Sequence, residues 1–396
     1  MRKITLLLLC LSSLAGCSMM DTAKESAAGI MDYFSGGEDN AEPPTPLVES
    51  HSELDAQVLW KESIGVGADQ RSLKLIPAVA AGKVIAADRE GIIEARDAKT
   101  GALLWEVETG IPFSAGPSLA AGRIILGSSK AKVIALNSEN GEQIWENTVS
   151  SEVLAAPVIA KGHVLVRTTA GEIVALDERT GKRLWSYEHS VPALSIRGTG
   201  APLVIKDHVI VGYDNGKLVA LQLSNGKYVW ETTIAMPKGR SEIERLVDLD
   251  VDPVEIGGTI YIASYNGGVS AVNAEDGEVL WRNEKVSSHT GLSYDNRHLY
   301  LSDSTGQVMQ LEQSRGAGLW KQSDLKYRKL TAPALYQDYV VVGDYNGFVH
   351  WLSTRDGRQL GRVQISDSAI DIKPIVADGI VYVYAKDGTL AALTVH

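Results

Sequence analysis

Short apolar runs separated by turn dipeptides cover most of the chain. In residues 157 to 187 the run PVIA meets a turn at Lys161-Gly162, HVLVRTT meets one at Ala170-Gly171, EIVALD follows, and RLWSY closes the stretch after Thr180-Gly181. Runs of this length bounded by such turns predict four short strands. Asn215-Gly216, Asn266-Gly267, Asn346-Gly347 and Asp387-Gly388 hold one place in their own stretches, and such dipeptides tolerate the positive φ of two-residue hairpins.

Each stretch also carries a tryptophan. Trp60, Trp105, Trp145, Trp185, Trp230, Trp281 and Trp320 follow one another at intervals of 45, 40, 40, 45, 51 and 39 residues. Six of them close a phrase with Ala (once Gln) ten residues earlier and Gly four earlier: ARDAKTGALLW, ALNSENGEQIW, ALDERTGKRLW, ALQLSNGKYVW, AVNAEDGEVLW and QLEQSRGAGLW. A seventh phrase, WLSTRDGRQLG, sets Gly361 in the tryptophan position and marks the seam there as the weakest. A tryptophan borne by every repeat is packing between units before it is a ligand site. Four-stranded units of about 40 residues predict the blades of a β-propeller.

The blades number eight, and the last explains the first tryptophan. After Gly361 the chain supplies three more strands, IKPIVADG, IVYVYAKDG and TLAALTVH, and reaches His396. The fourth is expected from DAQVLWKE around Trp60. The expected fold is all-β: an eight-bladed β-propeller of four-stranded antiparallel blades over residues 51–396, closed by an N-terminal strand that completes the last blade. The 44% hydrophobic content, with Gly at 38 positions, suits many short strands and turns.

Ahead of the ring the pattern changes. Arg2 and Lys3, the apolar stretch ITLLLLCL and then Leu14-Ala15-Gly16-Cys17 read as a targeting segment that resembles a bacterial lipobox, so residues 1–16 are expected to be a signal peptide and Cys17 the lipidated residue. An ordinary signal peptide is the alternative. Several acyl chains on one residue anchor stably where a single chain does not. Residues 17–50 mix polar, Gly and Pro positions and read as a flexible tether, with Thr22 to Phe34 either locally helical or disordered. Cys10 leaves with the signal, so Cys17 is the one cysteine of the mature chain; this excludes a disulfide in the ring, a cysteine nucleophile and thiolate zinc ligands. The net charge of −11 becomes −13 once Arg2 and Lys3 leave. An acidic chain without a basic stripe lacks the phosphate-neutralising attraction that dominates nucleic-acid binding.

Candidate chemistry is sparse. The eight histidines form no HExxH, no His-x-His and no pair at helical spacing. Asp248, Asp250 and Asp252 alternate in ERLVDLDVDP as at the start of an EF-hand loop, but the sixth and twelfth positions hold Pro253 and Thr259 where that loop needs Gly and Glu. In an extended segment alternate residues share a face, so the three acids are expected to form one solvated negative strip. Gly65-Val66-Gly67 and Gly198-Thr199-Gly200 lack the third glycine and following helix of a phosphate loop, and no GxSxG elbow occurs. No catalytic residue, metal or cofactor is expected.

The phrase A-x-D-x-x-T-G-x-x-x-W, nearly complete in residues 175 to 185, resembles the repeat of the pyrroloquinoline-quinone dehydrogenase propellers. That resemblance implies eight blades, and for the enzymes a quinone over an adjacent-cysteine disulfide, a calcium site and a catalytic Asp, which this cysteine count does not supply. Signal, tether and single ring together are similar to a non-enzymatic branch, the propeller lipoproteins of the outer-membrane β-barrel assembly machinery. Segments PALSIRGTGAP (192–202) and SEIERLVDLDVDP (241–253) resemble that family's loops that meet the periplasmic domains of the barrel-forming subunit, which implies partner-binding roles for Leu194, Ile196, Arg197, Asp248 and Asp250. In the Gram-negative families concerned, a residue other than Asp after the lipidated cysteine favours the outer membrane, and here it is Ser18.

Loop lengths lead to the same segments. From the tryptophan position to the start of the next blade is 12 or 13 residues for plain connections, but 17 from Trp60, 17 from Trp185 and 23 from Trp230. Insertions on a repeat scaffold map to its binding face, and the last two flank one blade. Leu194 and Ile196 with Arg197 suit an interface centre; in the competing arrangement the two apolar residues tuck under their own loop and Arg197 pairs with Asp248. The function expected is a scaffold lipoprotein that docks on the barrel-forming subunit and steers unfolded outer-membrane protein toward it, touching the membrane only through its lipid; the alternative is a periplasmic quinoprotein-like enzyme or ligand-binding propeller.

Overall fold

A computed structural model describes residues 42–47, 52–190, 200–238, 240 and 245–395. The chain divides into two units, Met1–Pro43 and Pro44–His396. Of the first, only residues 42 and 43 are described; the second holds eight four-stranded antiparallel sheets.

Blades one to seven span 78–108, 113–148, 158–188, 203–233, 254–283, 292–322 and 334–364, each with its strands in sequence order. Blade eight joins strands Ile375–Ala377, Ile380–Tyr384 and Thr389–Val395 to Ala56–Ser63, which pairs antiparallel with the last of them from Ala56↔Val395 to Ser63↔Thr389. The expected closure by an N-terminal strand is therefore the one observed, and all described elements are strands.

The turns differ in part from expectation. Positive φ at both central residues occurs in the first turn of the blade, as at Ala81-Gly82 (51° and 73°) and Lys161-Gly162 (47° and 81°). At Asn215-Gly216, Asn346-Gly347 and Asp387-Gly388 only the glycine is left-handed, and in blade five Gly268 takes that role in place of Gly267. In blades one and seven the second turn is organised by a side chain: Asp344 Oδ1 accepts the N–H groups of Asn346 and Phe348 at 2.9 and 3.0 Å, and Asp88 Oδ1 those of Glu90, Gly91 and Ile92. A carboxylate that satisfies several turn amides removes the need for a second left-handed residue.

The repeat phrase is the seam between blades. Trp145 Nε1 donates to Glu178 O of the next blade at 3.0 Å, Trp185 to Leu223 O at 2.8 Å and Trp60 to Ala98 O at 3.1 Å. Each indole lies on the glycine that stands four residues before the next seam position: a Cβ built on Gly181 would meet the Trp145 ring at 2.6 Å, and Gly181 has φ +68°. Only glycine satisfies both the conformation and the contact. The Asp of the phrase folds the same turn, since Asp177 Oδ1 accepts Thr180 N–H at 2.8 Å and Thr180 Oγ1–H at 2.6 Å. In all eight blades the outer strand has a register shift just before the seam position, a bulge that interrupts the exposed edge and, in the seven blades with a tryptophan there, sets the indole on the seam.

Two sequence expectations change at the N-terminal side. Residues 44–47, read as part of the tether, belong to the second unit and are fixed to the ring: Thr45 N–H donates to Lys326 O at 3.0 Å, Arg328 reaches Thr45 O at 3.2 Å, and Leu47 packs on the core around Tyr300 and Val340. The seam at Gly361 is filled, not left short. Leu54 is 7% exposed against blade seven, and Glu53 N–H donates to Leu360 O at 2.8 Å.

Candidate functional site

The second turn of a blade and the connection to the next blade lie on one face of the ring. Thr169 N–H donates to Glu152 O at 2.9 Å, Tyr327 N–H to Thr305 O at 2.7 Å and Ile365 N–H to Gly347 O at 3.0 Å, each bond joining a connection to a second turn. The three connections that the sequence makes longest meet on this face. Asp252 Oδ1, at the end of the third, accepts Ala201 N–H of the second at 2.7 Å and lies 3.8 Å from Lys74 Nζ of the first. Lys74 Nζ also donates to Asp250 O at 3.1 Å.

Beneath this junction sits a buried charged group. Arg167, 1% exposed, closes the second strand of blade three and donates to Asp214 Oδ1 at 3.0 Å and to Gly200 O at 3.2 Å, with its guanidinium 5.3 Å from the Tyr213 ring. It thus ties the end of the second long connection to blade four. Gly200 in turn meets the third connection so closely that a Cβ would stand 2.7 Å from Val251 O.

Asp248 and Asp250 are not the solvated strip expected from their alternation. They are 1% and 7% exposed, and the intervening Val247, Leu249 and Val251 are buried as well. Both faces of the segment are covered, so strand alternation does not sort its side chains. Only Asp252 stays out, half exposed. The two Asp250 carboxylate oxygens are buried without a hydrogen-bond partner. Burial, with Asp214 adding to it and Arg167 and Lys74 opposing, pushes the Asp250 carboxyl up from 3.8 to about 8. The three acids therefore do not converge on one point, and among the described residues no group of three or more His, Cys, Asp or Glu is arranged to hold a metal.

Leu194, Ile196 and Arg197, like Cys17, lie outside the described residues. Sequence reasoning missed Lys74 and Arg167. The length of the first connection was the available signal for Lys74, and a charged residue inside the apolar run HVLVRTT was the signal for Arg167.

These features define a class: an eight-bladed propeller of the quinoprotein-like repeat whose elaborated connections gather on one face. A sequence profile described as outer membrane protein assembly factor BamB matches residues 89–322 and 315–396. The outer membrane protein assembly factor BamB of Pseudomonas aeruginosa is 42% identical over 354 residues, 89% of this chain and 93% of that one. The crystal structure of BamB from Moraxella catarrhalis superimposes with a TM-score of 0.78 at 27% identity, covering 86% of this chain and 100% of that one. The chain belongs to the BamB family of outer membrane protein assembly factors. The quinohemoprotein alcohol dehydrogenase of Comamonas testosteroni, at 14% identity and a TM-score of 0.67 over 86% of this chain and 76% of its own, shares the fold alone.

Proposed function

We propose that the protein is a non-enzymatic scaffold of the outer-membrane β-barrel assembly machinery, held at the periplasmic face of the outer membrane by lipid on Cys17. It docks through the loop-bearing face onto periplasmic domains of the barrel-forming subunit and assists insertion of outer-membrane proteins. Family membership supports the assembly role. The observation that carries the docking surface is the convergence of the three longest connections on Asp252. In this reading Leu194 and Ile196 supply apolar area and Arg197 charge-assisted hydrogen bonds. Asp248 and Asp250, buried in the free chain, shape the surface from beneath.

Binding to the purified periplasmic domains tests the reading. Arg197→Ala, or Leu194→Ala with Ile196→Ala, should weaken it by roughly thirtyfold, the cost of about 2 kcal/mol for a true anchor, with circular dichroism and melting unchanged. Full binding by these folded variants would remove the face from the mechanism. Incubation with the quinone and calcium tests the non-enzymatic part: a stoichiometric bound chromophore would overturn it.

A further inference from the structure

The first of the long connections, 64–77, contributes no residue to the proposed contact, yet it reaches the segment that does. Its Lys74 is built as a fixed arm. The Lys74 N–H donates to Ser114 O at 3.1 Å and its carbonyl accepts Gly116 N–H at 3.0 Å, a short parallel bridge to blade two, and Leu73 and Leu75 on either side are buried. From that base the side chain crosses to the connection between blades four and five, 176 residues on, where Nζ meets Asp250 O and Asp252.

The recipient segment needs such a hold. Residues 246–252 form no strand. Their first half is tied to blade five, where Ser264 Oγ–H donates to Val247 O at 3.1 Å, Asn266 Nδ2–H to Leu246 O at 3.1 Å and Tyr265 N–H to Asp248 O at 3.2 Å, and Leu249 N–H reaches Tyr213 O at the long distance of 3.4 Å; the ties of residues 250–252 are those from Lys74 and to Ala201. The segment also carries a buried, unpartnered Asp250 carboxyl, which favours movement away from its site. The charge-assisted bond from Lys74 to Asp250 O and the second tie through Asp252 to Ala201 oppose that movement.

We propose that Lys74 is a positioning residue of the docking surface, which spans from the first long connection to fix residues 248–252, and through Asp252 the Gly200-Ala201 end of the second, in the arrangement the partner meets. The inference rests on the docking reading above. Without the arm the segment samples other arrangements, and the apparent affinity falls by the fraction of molecules still in the competent one.

The test uses the full chain and the purified periplasmic domains of the barrel-forming subunit. Lys74→Met should weaken binding by about five- to tenfold, Lys74→Arg should recover most of the loss, and Asp252→Asn should weaken binding from the other side of the contact. In the free protein, amide hydrogen exchange in Lys74→Met should quicken at 200–201 and 246–252 and nowhere else, with the melting temperature within about 2 °C of the parent. Unchanged affinity in Lys74→Met, a loss that Lys74→Arg does not recover, or unchanged exchange at 246–252 would each overturn the role of Lys74. No binding by the unsubstituted chain would overturn the docking reading itself, a separate result.

Discussion

Trp351 faces Gly361 across blade seven, in the register where the other blades set Ala or Gln against Trp. The equivalent pairs are Ala95↔Trp105, Ala135↔Trp145, Ala175↔Trp185, Ala220↔Trp230, Ala271↔Trp281, Gln310↔Trp320 and Ala392↔Trp60. The bulk has moved one strand inward, and the closure of the ring explains why. A seam tryptophan lands on the glycine turn that precedes the outer strand of the next blade. Blade eight has no such turn, because its outer strand comes from Ala56–Ser63. A tryptophan at 361 would have nothing to land on, whereas Trp351, fully buried, meets Tyr336 edge-on at 5.6 Å.

The two positions are therefore not interchangeable. Trp351→Ala should cost about 3–5 kcal/mol, as large core deletions do. Gly361→Trp should destabilise as well, since even a Cβ there would meet Ser52 Oγ at 2.9 Å and Leu54 O at 3.0 Å. The double variant restores the repeat consensus and should be the least stable of the three in urea unfolding. A double variant as stable as the parent would refute the role assigned to the missing turn.

Truncations should separate tether from ring. Removing residues 18–43 should leave the melting temperature unchanged. Removing 18–50 deletes the Thr45 bonds to Lys326 and Arg328 and the packing of Leu47, a loss of about 1–2 kcal/mol. Cutting past Trp60 opens blade eight and should lower stability far more. Equal melting of the last two would show that the strand Ala56–Ser63 does not close the ring.

Acid should loosen the seventh blade. Burial holds the His350 imidazole below its usual 6.5, although Asp344 2.9 Å away pulls upward. Burial acts to raise Asp344, but His350, the Phe348 amide and Arg328 outweigh it and keep the carboxyl below 3.8. Both groups are depressed in the folded chain, so their contributions are full above their ordinary values and are lost as pH falls, first below about 6.5 and then below about 3.8. Arg328→Met leaves Asp344 buried and short of a cation, and should cost about 3–5 kcal/mol. Urea midpoints of parent and variant between pH 2.5 and 8 measure these effects. A parent whose stability rises as pH falls from 7 to 5 would contradict the assignment for His350, once the opposing trend of Asp250 is removed by measuring in an Asp250→Asn background.

Blade count, strand count and closure were legible because each rests on a residue that only one geometry tolerates. Gly181 must be glycine under Trp145, and Asp177 must be a short acceptor for its turn, so the phrase repeats. From the residues themselves, the meeting of the three connections was legible only as loop length. Lys74 and Asp252 meet through irregular backbone from distant parts of the chain, where no period of 2 or 3.6 sorts inside from outside. Asp248 and Asp250 were misjudged for the same reason: alternation implies a free face only in a strand that has one. Arg167 was passed over because a charge in an apolar strand is explained only by its partner, Asp214, 47 residues away.

Asp250 should make the chain more stable when it is neutralised. Its carboxyl, displaced from 3.8 to about 8 by burial beside Asp214, is favoured in the protonated form by the folded chain. The folded value is raised, so the stability tied to the proton is full below about 3.8 and is lost as pH rises through about 8. The displacement sets an upper bound of about 6 kcal/mol on that loss, and water entry and local relaxation should reduce the observed figure to about 1–3 kcal/mol. Asp250→Asn keeps the shape and removes the charge. Its melting temperature should match the parent near pH 4 and exceed it increasingly toward pH 8. Under the docking reading the same variant should bind the periplasmic domains less well, because a costly buried acid persists where function needs it. A stability difference that stays flat from pH 4 to 8 would show that Asp250 is already ionised in the folded protein and that its burial is relieved by other means.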